Sequence, residues 1–257
     1  MSRGTKAPSV DARTEAGVRV LTLRREAKLN ALSANLERAL AEALAHDEVR
    51  GAACVVLTGS GRAFSAGADV DELRERTAEA VLEYYETTGR VYERLAALPQ
   101  PTFSAIGGYC LGGGLELALA TDFRIADETA VFGFPEVGLG ILPSSGGTER
   151  LTRLLGPARA KELILLRERI DAREALAWGL VSEVVPAGEA LDRALGLARR
   201  LAELPRHAVA VAKQAIEAVP ESSRAAAILI ERLAYATLAQ TADARAAAEA
   251  FERRRRE

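Results

Sequence analysis

Twice along this chain an apolar, strand-like run ends in a glycine-punctuated loop, and each time the loop opens a helical pattern. The first run is "AACVVLTG" (Ala52 to Gly59), followed by "GSGRAFSAGADVDEL". The second is "TFSAIGG", leading into "GYCLGGGLELALATD" (Gly108 to Asp122). Short apolar runs bounded by turn residues read as buried strands, and their alternation with helical segments favours an α/β architecture with crossover connections. The flanking segments continue the alternation. "GVRVLTL" (Gly17 to Leu23) reads as a strand, and "LSANLERALAEALAHD" (Leu32 to Asp47) as an amphipathic helix with Ser33 as its N-cap and Glu37 in its first turn. A long helix is expected from about Arg76 to Leu98, halted by Pro99 and Pro101. "DFRIAD" and "AVFGFPE" read as strands, and "GGTERLTRLLG" as a short helix closed by Gly156. From Gly188 onwards the pattern is almost wholly helical, broken by Pro205 and Pro220. The expected division is a core of residues 1–187 and a helical region of residues 188–257.

Composition narrows the function classes. At 257 residues the chain can form one large domain with an appendage, and its formal net charge of −2 makes no general electrostatic case for nucleic acid or an anionic membrane. The early helix sets Glu37, Glu42, Asp47 and Glu48 against Arg38 and Arg50, so it presents no basic stripe for a nucleic acid. The opening "MSRGTKAPSV" has no apolar core of the signal-peptide kind, and no apolar run reaches the length that spans a bilayer. Cys54 and Cys110 lie in apolar contexts and read as reduced core thiols, which makes the cytoplasm the expected location. The only histidines, His46 and His207, are far apart, with neither a catalytic-triad pattern nor zinc-ligand spacing around them. No metal is expected.

The glycine loops carry the chemistry. Glycine between a strand and a helix lets backbone N–H groups approach a ligand closely. The spacing fits neither a dinucleotide fingerprint nor a nucleoside-triphosphate loop. Two such loops can instead aim two N–H groups at one oxygen, forming an oxyanion hole. Glu116 sits inside the apolar helix that follows the second loop, and Glu136 follows Pro135 in "FGFPEVGLGILPSSGGT". Together they are a candidate pair for acid–base work on a water or a C–H bond. The plainer alternatives are a solvent-facing acid on an amphipathic helix for Glu116 and an ordinary loop acid for Glu136.

"GRAFSAGADVDEL", "AIGGYCLGGGLELALATDFRIA", "FPEVGLGILPSSGGTERLTRLLG" and "IDAREALAWGLVSEVV" together resemble the enoyl-CoA hydratase/isomerase (crotonase) family. The blocks occur in order and cover nearly the whole chain. The resemblance implies a spiral of β-β-α units with a C-terminal helical region that forms trimers, often paired into hexamers. It implies an acyl-CoA thioester substrate and no cofactor. Carried onto this sequence, the oxyanion-hole N–H groups belong to Ala68 and Gly113, and the two hydratase glutamates are Glu116 and Glu136. Arg25, Lys28 and Leu29 fall at the nucleotide end of the substrate, and Ala66, Asp69 and Ser144 along the rest of it. The implied reaction is reversible hydration of a trans-2-enoyl-CoA; the alternative is a Δ3,Δ2-enoyl-CoA isomerase or another acyl-CoA reaction of the family.

Three positions depart from the family's pattern. Glu26 replaces a common proline, Ser144 replaces a common glycine, and Arg167 stands where a glycine is usual. The variable segment Thr77 to Leu98 corresponds to the part that shapes the acyl pocket, with Tyr84, Tyr85 and Val91 as candidate lining residues. The terminal "RRRR" (Arg253 to Arg256) reads either as a phosphate contact or as cations at a helix C-terminus.

Overall fold

The computed structural model describes residues 8–73 and 77–256. Among these described residues ten strands form two sheets. In chain order they are β1 (Ser9–Glu15), β2 (Val18–Arg24), β3 (Cys54–Gly59), β4 (Ala63–Ser65), β5 (Thr102–Ile106), β6 (Tyr109–Leu111), β7 (Phe123–Asp127), β8 (Val131–Gly133), β9 (Ile170–Asp171) and β10 (Glu183–Val185). The larger sheet runs β1-β2-β3-β5-β7-β10, and the smaller runs β4-β6-β8-β9. Every pairing from β2 through β10 in the large sheet is parallel; β1 joins β2 as an antiparallel hairpin.

The parallel strands are buried on both faces, as crossover architecture requires. Successive residues alternate between two cores. Val20, Cys54, Val56, Phe103 and Ile125 face one, closed by Ala194, Leu195 and Ala198 of the Ala190–Ala202 helix. Leu21, Leu23, Val55, Leu57 and Ile106 face the other, closed by Leu36 and Leu40 of the Ala34–Ala45 helix and by Leu115 and Leu117 of the Gly113–Leu119 helix. The first helix of the C-terminal region is thus one wall of the central sheet.

Each turn of the chain repeats one plan. A strand of the large sheet is followed by a strand of the small sheet, a tight loop and a helical segment: β3, β4, then the Val70–Leu73 helix; β5, β6, then the Gly113–Leu119 helix; β7, β8, then the Glu136–Leu139 3₁₀ turn. This is the expected spiral of β-β-α units. Because β4, β6 and β8 are neighbours and parallel, their C-terminal ends open on the same edge. Three loops distant in sequence therefore emerge side by side.

Several sequence expectations are refined. The helix expected over 76–98 is broken into Ala78–Glu86, a 3₁₀ turn at Thr88–Arg90 and Val91–Ala96, and Arg76 itself lies outside the described residues. Thr87 leaves the helical region with φ −118° and ψ −96°, and Gly89 sits where an added Cβ would be 2.9 Å from the Tyr84 ring. Of "AVFGFPE", only Val131–Gly133 is strand. Gly156 (φ 77°, ψ 165°) ends one helical stretch, as expected, but Pro157 opens another that continues to Leu165. Ser33 caps the first long helix by accepting from Leu36 N–H. The C-terminal helices are tied down at Lys213, which is buried and bonds Asp122 at 2.9 Å and the Gln100 carbonyl at 3.3 Å.

Candidate active site

The shared edge of β4, β6 and β8 holds the predicted site residues. Beyond β4, Leu32 is bridged to the Ala66–Asp69 loop: Leu32 N–H donates to Gly67 O at 2.8 Å, and Asp69 N–H donates to Leu32 O at 2.9 Å. The pairing uses Gly67 and Asp69, so the Ala68 N–H takes no part in it. Beyond β6 the chain turns through Gly112, whose φ of 50° and ψ of −127° favour glycine, and enters the Gly113–Leu119 helix.

Each glycine of the "GGG" triplet meets a different neighbour. A Cβ on Gly112 would lie 2.6 Å from Glu136 Oε1. One on Gly113 would lie 3.5 Å from Ala68 N and 3.2 Å from the Tyr92 hydroxyl. One on Gly114 would lie 2.6 Å from the Ser65 carbonyl. The triplet thus lets a helix start, a second loop and a carboxylate meet at van der Waals distance.

Glu116, one turn into that helix, is 4% exposed. The helix is buried along its whole length, so the alternative of a solvent-facing acid on an amphipathic helix does not hold. Its Oε1 accepts from Ser145 N–H at 2.7 Å and Gly147 N–H at 2.9 Å. Burial raises the carboxyl's pKa, with the loop N–H groups and Arg150 working against the rise. Glu136 is 9% exposed, and its Oε2 is buried without a hydrogen-bond partner among the described residues. Burial raises its pKa to about 7; its own backbone N–H opposes the shift, and the nearby charge of Glu116 adds to it. Burial thus raises the pKa of both acids at this edge, the environment in which carboxyl groups take up and release protons above their ordinary range.

A linked stability measurement checks the Glu136 environment. Its folded pKa lies above the ordinary value of 4.5, so the native state holds this proton more tightly than the unfolded chain does. That contribution is fully present below 4.5 and is lost as pH rises through about 7. Glu136→Gln should therefore gain thermal stability relative to the parent on moving from a pH near 4.5 to one a unit above 7. A melting-temperature difference that stays flat across that window would refute it.

The remaining predicted positions are distributed around this centre. Arg25 donates to Asp69 Oδ2 at 2.5 Å and to the Ala31 carbonyl at 3.0 Å. Lys28 is exposed and lies 3.3 Å from Asp71, and Leu29 is half-buried in the left-handed region at φ 52°. Ala66 N–H donates to Leu29 O at 2.9 Å, closing the same pair of loops. Ser144 is exposed, next to the Ser145 N–H that holds Glu116, and its hydroxyl meets that of Tyr85. Val91 belongs to the core. Both cysteines are buried, and burial raises the Cys54 thiol to about 11 and the Cys110 thiol further, so both behave as packed side chains.

Sequence reading missed Glu37 as part of this region. It is 3% exposed, and its Oε1 accepts from the hydroxyls of Tyr84 at 2.7 Å and Tyr92 at 3.0 Å. Its only sequence signal was an acid at an early helical position, which ordinarily denotes nothing more than a favourable helix start.

The class of protein is a two-sheet spiral of β-β-α units, with glycine-bounded N–H groups and two buried acids at one edge of its small sheet. The family model for enoyl-CoA hydratase/isomerase matches residues 13–257. The chain is 40% identical over 240 residues to the 2,3-dehydroadipyl-CoA hydratase of Escherichia coli (strain K12), covering 93% of each protein. It is 37% identical over 247 residues to the short-chain-enoyl-CoA hydratase of Clostridium acetobutylicum, covering 94% of each. The crystal structure of an enoyl-CoA hydratase from Bacillus anthracis superposes with a TM-score of 0.89 at 39% identity, covering 96% of each chain. The protein belongs to the enoyl-CoA hydratase/isomerase family, enzymes of hydratase and isomerase chemistry on acyl-CoA substrates. Among the described residues no helix is long and apolar enough to cross a membrane.

Proposed function

We propose that the enzyme reversibly hydrates a trans-2-enoyl-CoA to a 3-hydroxyacyl-CoA. The observation that carries the reading is two buried carboxyl groups close enough for the charge of Glu116 to raise the pKa of Glu136, with Glu136 against Gly112 and Glu116 against Gly147. The thioester oxygen takes hydrogen bonds from the Ala68 and Gly113 N–H groups. As the double bond is attacked, charge collects on that oxygen, and these bonds strengthen in the transition state. Glu116, oriented by the Ser145 and Gly147 N–H groups, draws a proton from water as it attacks the β-carbon. Glu136, whose burial raises its pKa to about 7, delivers its proton to the α-carbon, and the reverse reaction retraces both transfers.

The CoA moiety is read as lying along Lys28, Leu29, Ala66 and Asp69, with Ser144 toward the acyl group. A homotrimer or homohexamer is the assembly we favour, and the cytoplasm the setting. The C-terminal helices expose Ile216, Leu229, Leu233, Tyr235 and Phe251, a set of large apolar side chains in keeping with burial against other subunits.

Crotonyl-CoA mixed with the purified enzyme should lose its conjugated enoyl-thioester absorbance rapidly. Unchanged absorbance across short, long and branched 2-enoyl-CoA esters would overturn the reading. Conversion of 3-enoyl-CoA esters under those conditions would assign the enzyme to isomerisation.

A further inference from the structure

Arg25, a side chain that the reaction scheme does not use, links the Leu29–Leu32 stretch to the loop that carries Ala68. Arg25 reaches from the end of β2 across to Asp69, the residue next to Ala68. Its NH2 nitrogen is 2.5 Å from Asp69 Oδ2, and its NH1 nitrogen donates to Ala31 O at 3.0 Å. Arg25 is 18% exposed at its side chain and Asp69 9%, so the pair is largely withdrawn from solvent. Around it the backbone is closed on both sides. Ala66 N–H bonds Leu29 O, Leu32 N–H bonds Gly67 O, and Asp69 N–H bonds Leu32 O. Asn30 is fully buried; its side chain receives Arg25 N–H and donates to the carbonyls of Ser60 and Ala63. The second Asp69 oxygen accepts Asp71 N–H, fixing the carboxylate from its other side.

This arrangement has a directional consequence. With Gly67 O and Asp69 N–H both bonded to Leu32, the Gly67–Ala68 peptide turns its carbonyl to the seam and its N–H away from it, while the Gly67 N–H is taken by Ser65 Oγ. Among the described residues the ion pair is the one side-chain link across the seam that reaches Asp69, and it is short, low in exposure and braced at both ends. We infer that Arg25 is a positioning residue for the oxyanion hole, acting through Asp69 to hold the Ala68 N–H at the angle the thioester oxygen requires. The inference rests on the hydration reading for its reaction. A guanidinium committed to Asp69 and Ala31 serves geometry rather than a CoA phosphate.

The test compares Arg25→Gln, Arg25→Lys, Asp69→Asn and the Arg25→Gln/Asp69→Asn double variant. Displacing a catalytic group by a fraction of an ångström to an ångström costs up to about 100-fold in rate. Arg25→Gln should therefore lower kcat on crotonyl-CoA by about 10–100-fold, with KM little changed. Arg25→Lys should recover part of the loss, and the double variant should be no worse than the poorer single one, because both substitutions remove the same link. A rise in KM at unchanged kcat, or independent multiplying losses in the double variant, would overturn the inference. A second readout is independent of turnover. A cinnamoyl-CoA bearing a ring dialkylamino group absorbs further to the red when its carbonyl is polarised. Binding to the parent enzyme should shift its band, and binding to Arg25→Gln should shift it less at equal occupancy. An undiminished shift in that variant would refute the positioning role even if no enoyl-CoA were hydrated, whereas a diminished shift without hydration would leave the positioning role standing and remove the hydratase reading.

Discussion

Glu136→Gln should lower hydration of crotonyl-CoA by about 10²–10⁴-fold, the usual worth of a positioned general acid or base, while acyl-CoA binding stays near that of the parent. The amide preserves the shape of the side chain but cannot give its proton to carbon. The surroundings favour retention of the fold, since Glu136 Oε2 has no hydrogen-bond partner among the described residues to lose. Glu116→Gln should show a loss of similar size, with one added feature. Glu116 Oε1 accepts two backbone N–H groups, and an amide presenting its oxygen to them keeps the Ser145–Gly147 loop in place. Steady-state kinetics together with calorimetric binding of a saturated acyl-CoA would separate chemistry from affinity. Near-parental turnover in either variant would remove that glutamate from the mechanism.

Gly112→Ala should damage stability and catalysis together. Its Cβ would land 2.6 Å from Glu136 Oε1, closer than non-bonded atoms approach, and its backbone holds φ at 50° with ψ at −127°. The expected result is a loss of about 1–3 kcal/mol in stability from the backbone alone, with activity falling at least as far as in Glu136→Gln because the carboxylate is pushed from its place. Gly17→Ala is the matched control. Gly17 also has a positive φ, 77°, but nothing lies within 4 Å of the added methyl. It should lose stability and keep its turnover. Urea midpoints and kcat measured on both variants would decide the matter; equal catalytic damage in the two would mean that contact with Glu136 is not what makes Gly112 indispensable.

The contrast between the two glycines illustrates where sequence reading reached its limit. Both are turn residues by composition, and only the fold shows that one of them faces a carboxylate. The long elements were legible because each carries enough residues for its period to be seen: the Ala34–Ala45 helix with its Ser33 cap, the β-branched β3, and the glycine loops after β3 and β5. The three-residue strands β4, β6 and β8 were not, because three residues cannot display an alternation. On sequence alone they read as parts of loops or of longer strands, yet their order in the small sheet brings the loops together.

The sequence by itself determined the alternation of strand, glycine loop and helix, the spacing of Glu116 and Glu136, and the family that this order of motifs resembles. Those are local properties, written in neighbouring residues. The tertiary structure decided which groups face one another: Glu136 against Gly112, Ala68 N–H near Gly113, Arg25 on Asp69, and two tyrosine hydroxyls on the buried Glu37. Each of these joins segments that only the parallel sheets bring into contact. The physical reason is that hydrophobic patterning specifies which face of an element is buried, whereas the partner of a buried polar group is set by the packing of whole elements against one another.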